Sequence, residues 1–151
     1  MVSFSIPIKA FSVNAYYYKT RSFKTPAASD WETLVCAHLA RVTDLNILAE
    51  AWRANHGVFI VHFTFVYPMH VFFNQAGNVS AKAFDLSNVE KPLLDMLFRE
   101  TMKVDDRFVT ELTSRKRAGA DYAIEISLEL KAYADSDLCV AGSTHTNKHG
   151  A

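Results

Sequence analysis

At 151 residues, half of them apolar, the chain has the size of one domain and enough hydrophobic material for a core. Sixteen Lys and Arg balance sixteen Asp and Glu, so the formal net charge is zero. That excludes a protein that coats nucleic acid by charge alone, while leaving room for a basic patch beside an acidic site. Two cysteines, Cys36 and Cys139, do not make a disulfide framework. The opening MVSFSIPIKAFS lacks the charged and apolar segments of a signal peptide. The longest apolar stretch, Val58 to Phe73, is broken by His62, Thr64, Pro68 and His70. It is too short and too polar to cross a membrane, so a soluble, cytoplasmic protein is expected.

VSFSIPI alternates Phe4, Ile6 and Ile8 against polar partners and predicts a first strand. SVNAYYYKTRSFK follows as a loop or short hairpin in which aromatic and basic residues interleave. Thr25 can cap a helix with Pro26 at its first position, and Ser29 with Glu32 offers a second cap. The helix is expected from about Pro26 to about Arg41, because Trp31, Leu34, Val35, His38, Leu39 and Val42 recur at helical spacing. Leu45 to Trp52 is either another helical piece or an irregular connection.

GVFIVHFTFVY is apolar on both faces and rich in β-branched and aromatic residues, so it predicts a central strand. A second copy of the chain would cover whichever face one domain leaves bare. A short apolar run, Val71 to Phe73, and a polar loop with Gly77 come next, then a helix after Asp85. DRFVTELTS predicts a strand, and RKRAGAD a turn carrying a basic cluster. YAIEISLEL sets Tyr122, Ile124, Ile126, Leu128 and Leu130 against Glu125, Ser127 and Glu129, a strand with one wet face. From Ala132 the pattern dissolves, which predicts a domain over 1–131 and a flexible tail over 132–151. The order of elements predicts an α+β domain: a mixed sheet with two main helices packed on it.

FDLSNVEKPLLDMLFRETMKVDDRF concentrates the chemistry. With a helix beginning near Asn88, each residue turns about 100°, so Asn88, Lys91, Asp95 and Arg99 share one polar face. Val89, Leu93, Met96 and Leu97 cover the opposite one. Asp85 precedes the helix, and Asp105 and Asp106 follow it. These acids meet only if the chain folds back. Carboxylates brought together repel, and either raise a pKa or recruit a cation. Hard oxygen donors suit Mg²⁺ or Mn²⁺. Singly, each acid has a plainer explanation, since carboxylates at helix N-termini complement the helix dipole. The joint spacing with Lys91 is what lifts the group. SNVE also matches a capping box, with Ser87 as the cap and Glu90 reaching back.

DLSNVEKPLLDML followed by VDD resembles the central motif of the RusA-like Holliday junction resolvases, metal-dependent endonucleases of phages and bacteria. Asp85, Asn88, Lys91, Asp95, Asp105 and Asp106 match its polar positions, while Ser87 stands where the pattern carries its second acid. SVNAYY is similar to the family's N-terminal element through Ser12, Asn14, Tyr16 and Tyr17, and the likeness runs from about Ile6 to about Leu130. The resemblance implies an intertwined homodimer that nicks four-way DNA junctions symmetrically with Mg²⁺ or Mn²⁺. It implies Asp85, Lys91 and Asp106 as catalytic residues and Asp85, Asp105 and Asp106 as metal ligands. Ser87, Asn88 and Asp95 would support them. The alternative is a diverged junction-binding protein with weak or no cleavage, and a third reading is a dimeric interaction module.

For DNA contact the candidates are Asn14, Tyr16, Tyr17, Lys19, Arg21 and Lys24 in the N-terminal segment, and Arg115, Lys116 and Arg117 in the basic cluster. Cations neutralise phosphates and aromatics stack on unpaired bases. A solvated loop is an equal reading of either cluster alone. The histidines, His38, His56, His62, His70, His145 and His149, form no ligand set by spacing.

Overall fold

The computed structural model describes residues 1–17, 23–136 and 138. Four strands form one mixed sheet in the order β1-β4-β2-β3. β2 (Val58–Pro68) lies inside it, parallel to β3 (Val109–Gly119) and antiparallel to β4 (Ala123–Lys131), which pairs with β1 (Val2–Ile6). The mixed α+β architecture is therefore as expected.

Side-chain alternation decides which face is covered. Phe59, Val61, Phe63, Phe65 and Tyr67 of β2 join Ile124, Ile126 and Leu128 of β4 in one buried core. The helices close that face. α1 (Pro26–Leu39) contributes Val35 and Leu39, and α2 (Thr43–Asn55) contributes Leu45 and Ala49. α4 (Leu86–Asp95) contributes Val89 and Leu93. Three substantial helices thus pack on the sheet rather than two. α2 resolves the open reading of Leu45 to Trp52 in favour of helix. The run Val71 to Phe73 falls largely in a single helical turn, α3 (Met69–Phe72).

Thr25 caps α1 as its chemistry suggests. Its hydroxyl accepts from the Ala28 amide at 3.2 Å, and Pro26 takes the first helical position.

The other sheet face carries Ile60, His62, Thr64 and Val66 of β2 between Arg115 and Arg117 of β3 and Glu125, Ser127 and Glu129 of β4. Of β2, only His62 is exposed. Neighbouring side chains already cover this face, so an uncovered apolar strand gives no reason for a dimer. The basic run also departs from expectation. β3 continues through Arg115, Lys116 and Arg117 to Gly119, paired as far as Pro68, so these residues lie in a strand and not in a turn.

A π-helical segment, Met96–Met102, follows α4 without a break. Met96, Leu97, Phe98 and Met102 are buried, and the Phe98 ring meets that of Phe59 edge-on at 5.1 Å between centroids. A 3-10 turn, Asp106–Phe108, then leads into β3. There the β2–β3 pairing slips by one residue, from Phe59↔Val109 to Ile60↔Glu111, leaving Thr110 as a bulge.

Candidate active site

The polar face of α4 and the turn before β3 come together. Lys91 Nζ donates to Asp106 Oδ2 at 2.7 Å and forms an ion pair with Asp95 Oδ1 at 2.8 Å. One ammonium therefore bridges two carboxylates that are well separated in sequence. Asp106 first, and Asp95 second, push the Lys91 pKa up against a smaller opposing effect of burial. The lysine is held as a cation.

Asp85 sits at the head of α4 as its N-cap residue, exposed and with no side-chain capping bond. Ser87 is therefore the second residue of the helix and not its cap, because the helix begins at Leu86 and not near Asn88. Asp85 shares a hollow of about 360 Å³ with Ser12, Asn14, Phe84 and Asn88. The N-terminal element and the helix-head motif thus line one depression. Ser12 is buried and its hydroxyl accepts from the Asn14 amide at 3.2 Å, which fixes the turn presenting Asn14.

A second hollow, of about 520 Å³, is lined by Arg99, Lys103, Val104, Asp105 and Asp106. Asp105 Oδ1 accepts from the Arg107 amide at 2.8 Å, so that carboxylate is partly committed to holding its own turn.

Lys116 has a use that the sequence did not reveal. It alternates with Arg115 and Arg117, so its side chain takes the helix side of β3. Its ammonium donates to the carbonyls of Ala83 at 2.9 Å and Phe84 at 3.4 Å, the two residues leading into Asp85. Arg115 and Arg117 point to the opposite sheet face. Arg115 Nε donates to Thr64 Oγ1 at 2.9 Å, and Arg117 pairs with Glu125. The three cations do not form one cluster.

In the N-terminal segment, Tyr16 is buried in the core. Burial first, and the Glu32 carboxylate second, push its hydroxyl pKa up, and the buried ring offers little face for stacking on a base. Tyr17 is exposed. Lys24 is held by Glu32 at 2.8 Å and lies over the Tyr16 ring at 5.7 Å. Lys19 and Arg21 fall outside the described residues.

The acids have the chemistry of a hard-metal site. Among the described residues, no three His, Cys, Asp or Glu side chains converge as a ready cage. Magnesium, however, commonly takes only one or two protein carboxylates and keeps its waters. Asp85 makes no side-chain hydrogen bond or ion pair among the described residues, and Asp106 Oδ1 is free of the Lys91 contact. These two carboxylates suit such an ion in kind.

A fixed ammonium among carboxylates, with one hollow lined by Asp106 and another by Asp85, is equipment for phosphoryl-group chemistry. A family model described as endodeoxyribonuclease RusA matches residues 7–129. The chain belongs to that family, whose members act on Holliday junctions. No curated protein matches it individually. Among the described residues, no helix is long and apolar enough to cross a membrane.

Sequence reasoning put Arg99 on the polar face but did not single out Arg99 or Lys103, which line the hollow beside Asp106. Their signal was the continuing spacing Asn88, Lys91, Asp95, Arg99, Lys103. It reads as one face of a long helix, and a face of that length is usually solvated.

Proposed function

We propose that this protein is a metal-dependent endonuclease that nicks four-way DNA junctions symmetrically, acting as a homodimer in the cytoplasm. The observation that carries the reading is the Lys91 ammonium bridging Asp106 and Asp95 in a member of the RusA family. Asp85 and Asp106, with Asp105 in support, would hold Mg²⁺ or Mn²⁺. Such an ion supplies a Lewis acid for the phosphoryl oxygens and lowers the pKa of a bound water.

The chain's own residues do the rest. Lys91 lies where an ammonium can meet the charge that develops on a phosphodiester. Asp95 and Asp106 hold it in place, so the charge needs no reorganisation during reaction. Asn14 and Asn88 offer neutral amides in the Asp85 hollow, able to orient a phosphate without adding repulsion. Two copies would present two such sites to strands of like polarity. The domain would comprise residues 1–131; of the expected tail over 132–151, residues 137 and 139–151 lie outside the described residues.

Ser87 favours a second reading, a junction-binding protein with weak cleavage, because one carboxylate of the family pattern is absent here. Cleavage of a labelled four-way junction and of a linear duplex, with Mg²⁺, Mn²⁺ or EDTA, separates the two. Paired nicks in the junction alone, dependent on the metal, support the nuclease. Tight junction binding without nicks supports the second reading. Light scattering that finds a monomer with and without junction removes the symmetric mechanism.

A further inference from the structure

We infer that the hollow beside Asp106 is a second backbone-phosphate site, in which Arg99 and Lys103 hold a DNA phosphodiester a few nucleotides from the one at Lys91. The inference rests on the nuclease reading above and adds a binding site to it.

The first observation is how the cations are engaged. Lys24 is paired with Glu32, Lys91 with Asp95 and Asp106, and Arg117 with Glu125. Arg53, Arg115 and Lys116 are occupied by Met102, Thr64 and Ala83. Among the described residues, Arg99 and Lys103 make no side-chain hydrogen bond or ion pair. Both line a hollow of about 520 Å³ whose remaining wall includes Asp106 itself. One oxygen of each acidic neighbour is engaged elsewhere, Asp106 Oδ2 by Lys91 and Asp105 Oδ1 by the Arg107 amide, and neither Asp105 nor Asp106 pairs with Arg99 or Lys103. The two cations are therefore not consumed by those acids.

The second observation is the backbone that displays them. π-helical turns are rare, and they occur frequently at functional sites. This one is fastened from several sides. Thr101 Oγ1 donates to the Met96 carbonyl at 2.8 Å, and Arg53 of α2 donates to the Met102 carbonyl at 2.8 Å. The Val104 amide returns to the Phe98 carbonyl at 3.0 Å. Lys103 closes the turn in the left-handed region, with φ of 57°, which a residue with a side chain rarely adopts. Buried Met96, Leu97, Phe98 and Met102 anchor the inner side while Arg99 stays exposed. The segment is built to hold Arg99 and Lys103 outward at fixed positions.

The spacing fits one DNA strand. Lys91 and Arg99 are eight residues apart across the end of α4 and the π-helical turn, on the order of 10 Å, a span of a few nucleotides of one strand. An arginine fork grips two phosphate oxygens at once, and a lysine adds a point charge. Phosphates carry no base identity, so this site would set the register and direction of the strand and not the sequence cut.

The test uses the full chain with Arg99→Gln, Lys103→Gln and the double variant, and with Arg41→Gln in the α1–α2 connection as control. Junction affinity is measured in EDTA over a series of KCl concentrations. The double variant should bind about tenfold more weakly at low salt and lose about one unit of the salt slope, as expected for one lost phosphate contact. Arg41→Gln should change neither. The decisive arm places one uncharged methylphosphonate at successive positions along the cut strand. One position a few nucleotides from the cut should weaken wild type and leave the double variant unaffected. Normal junction binding by wild type, with equal salt slopes and no such position, would overturn the inference while sparing the nuclease reading. Failure of wild type to bind junctions would overturn both. Competition by inorganic phosphate with no methylphosphonate effect would assign the hollow to a free anion and overturn the DNA contact.

Discussion

Lys116 and Ala83 are joined across the boundary between sheet and helices, ammonium to carbonyl, at 2.9 Å. The lysine is a strand residue whose partner precedes Asp85 by two positions, so β3 fixes the approach to the helix head. Hydrogen bonds from a charged donor contribute about 1.5–3 kcal/mol. Lys116→Met should therefore lower stability by about 1–2 kcal/mol. It should reduce the cleavage rate about tenfold with junction affinity nearly unchanged, since the side chain positions Asp85 and does not touch DNA. Lys116→Arg should recover part of the rate. A variant that loses affinity and salt slope instead would show Lys116 to be a phosphate contact.

Asp85→Asn and Asp106→Asn should each abolish nicking and leave junction binding intact or slightly tighter, because each removes a carboxylate that repels phosphate. Their effects on folding should differ. Asp85 has no ion pair among the described residues, whereas Asp106 loses its contact with Lys91. Lys91 is more than half exposed and Asp106 partly so, and solvent screening keeps the cost to about 1 kcal/mol. Paired measurements of cleavage and thermal unfolding check both statements. Nicking at the wild-type rate by either variant would remove that residue from the chemistry.

Lys91→Met should slow cleavage roughly a hundredfold by a factor that is constant from about pH 6 to 9. The sign follows from the raised pKa. Asp106 first and Asp95 second hold the proton, so the folded-state value lies above that of the unfolded chain. The stabilisation is fully present below the unfolded value of about 10.4 and is lost only as pH rises through the higher folded one. Lys91 therefore remains charged throughout the neutral range. A wild-type to variant rate ratio that falls between pH 7 and 9 would contradict this.

Ser87→Asp should leave stability unchanged or raise it by about 0.3–1 kcal/mol, because it places a negative charge in the first turn of α4, near the positive end of the helix dipole. It should also lower the Mg²⁺ or Mn²⁺ concentration needed for half-maximal cleavage. Ser87→Ala should cost almost nothing in stability, since Ser87 is not the cap. A metal titration of cleavage for the three proteins decides the matter. An unchanged requirement in Ser87→Asp would mean that position 87 faces away from the metal.

What the sequence disclosed was local. Thr25 and Pro26 announce α1 because a cap and a fixed φ act within one turn. Ile124, Ile126 and Leu128 announce β4 because alternation is a property of the strand itself. Asn88, Lys91 and Asp95 could be set on one face for the same reason. Ser87 misled because the helix already starts at Leu86, with Asp85 in the N-cap position although its side chain makes no capping bond. Arg115 to Arg117 misled because only the distant partner β2 extends β3 that far. The meeting of Lys91 with Asp106 needs a chain reversal that no short-range pattern encodes. The π-helical turn after Asp95 was illegible because its residues also satisfy an ordinary helix.

β2 and β3 run side by side in the same direction, and parallel neighbours require a long connection. Asp85, Lys91, Asp95, Arg99 and Lys103 all travel within that connection, while Asp106 arrives at its far end. The two halves of the site therefore meet only when β3 docks. The strand that ties β1 to β2 is β4, which leaves the ribosome after all of them. Closing such distant pairings is slow relative to forming helices. A chain made only as far as α4 thus carries Asp85 and Lys91 but not yet the Asp106 that pairs with Lys91. The Lys91–Asp106 pair is in this way tied to a long-range step of folding and not to any local one.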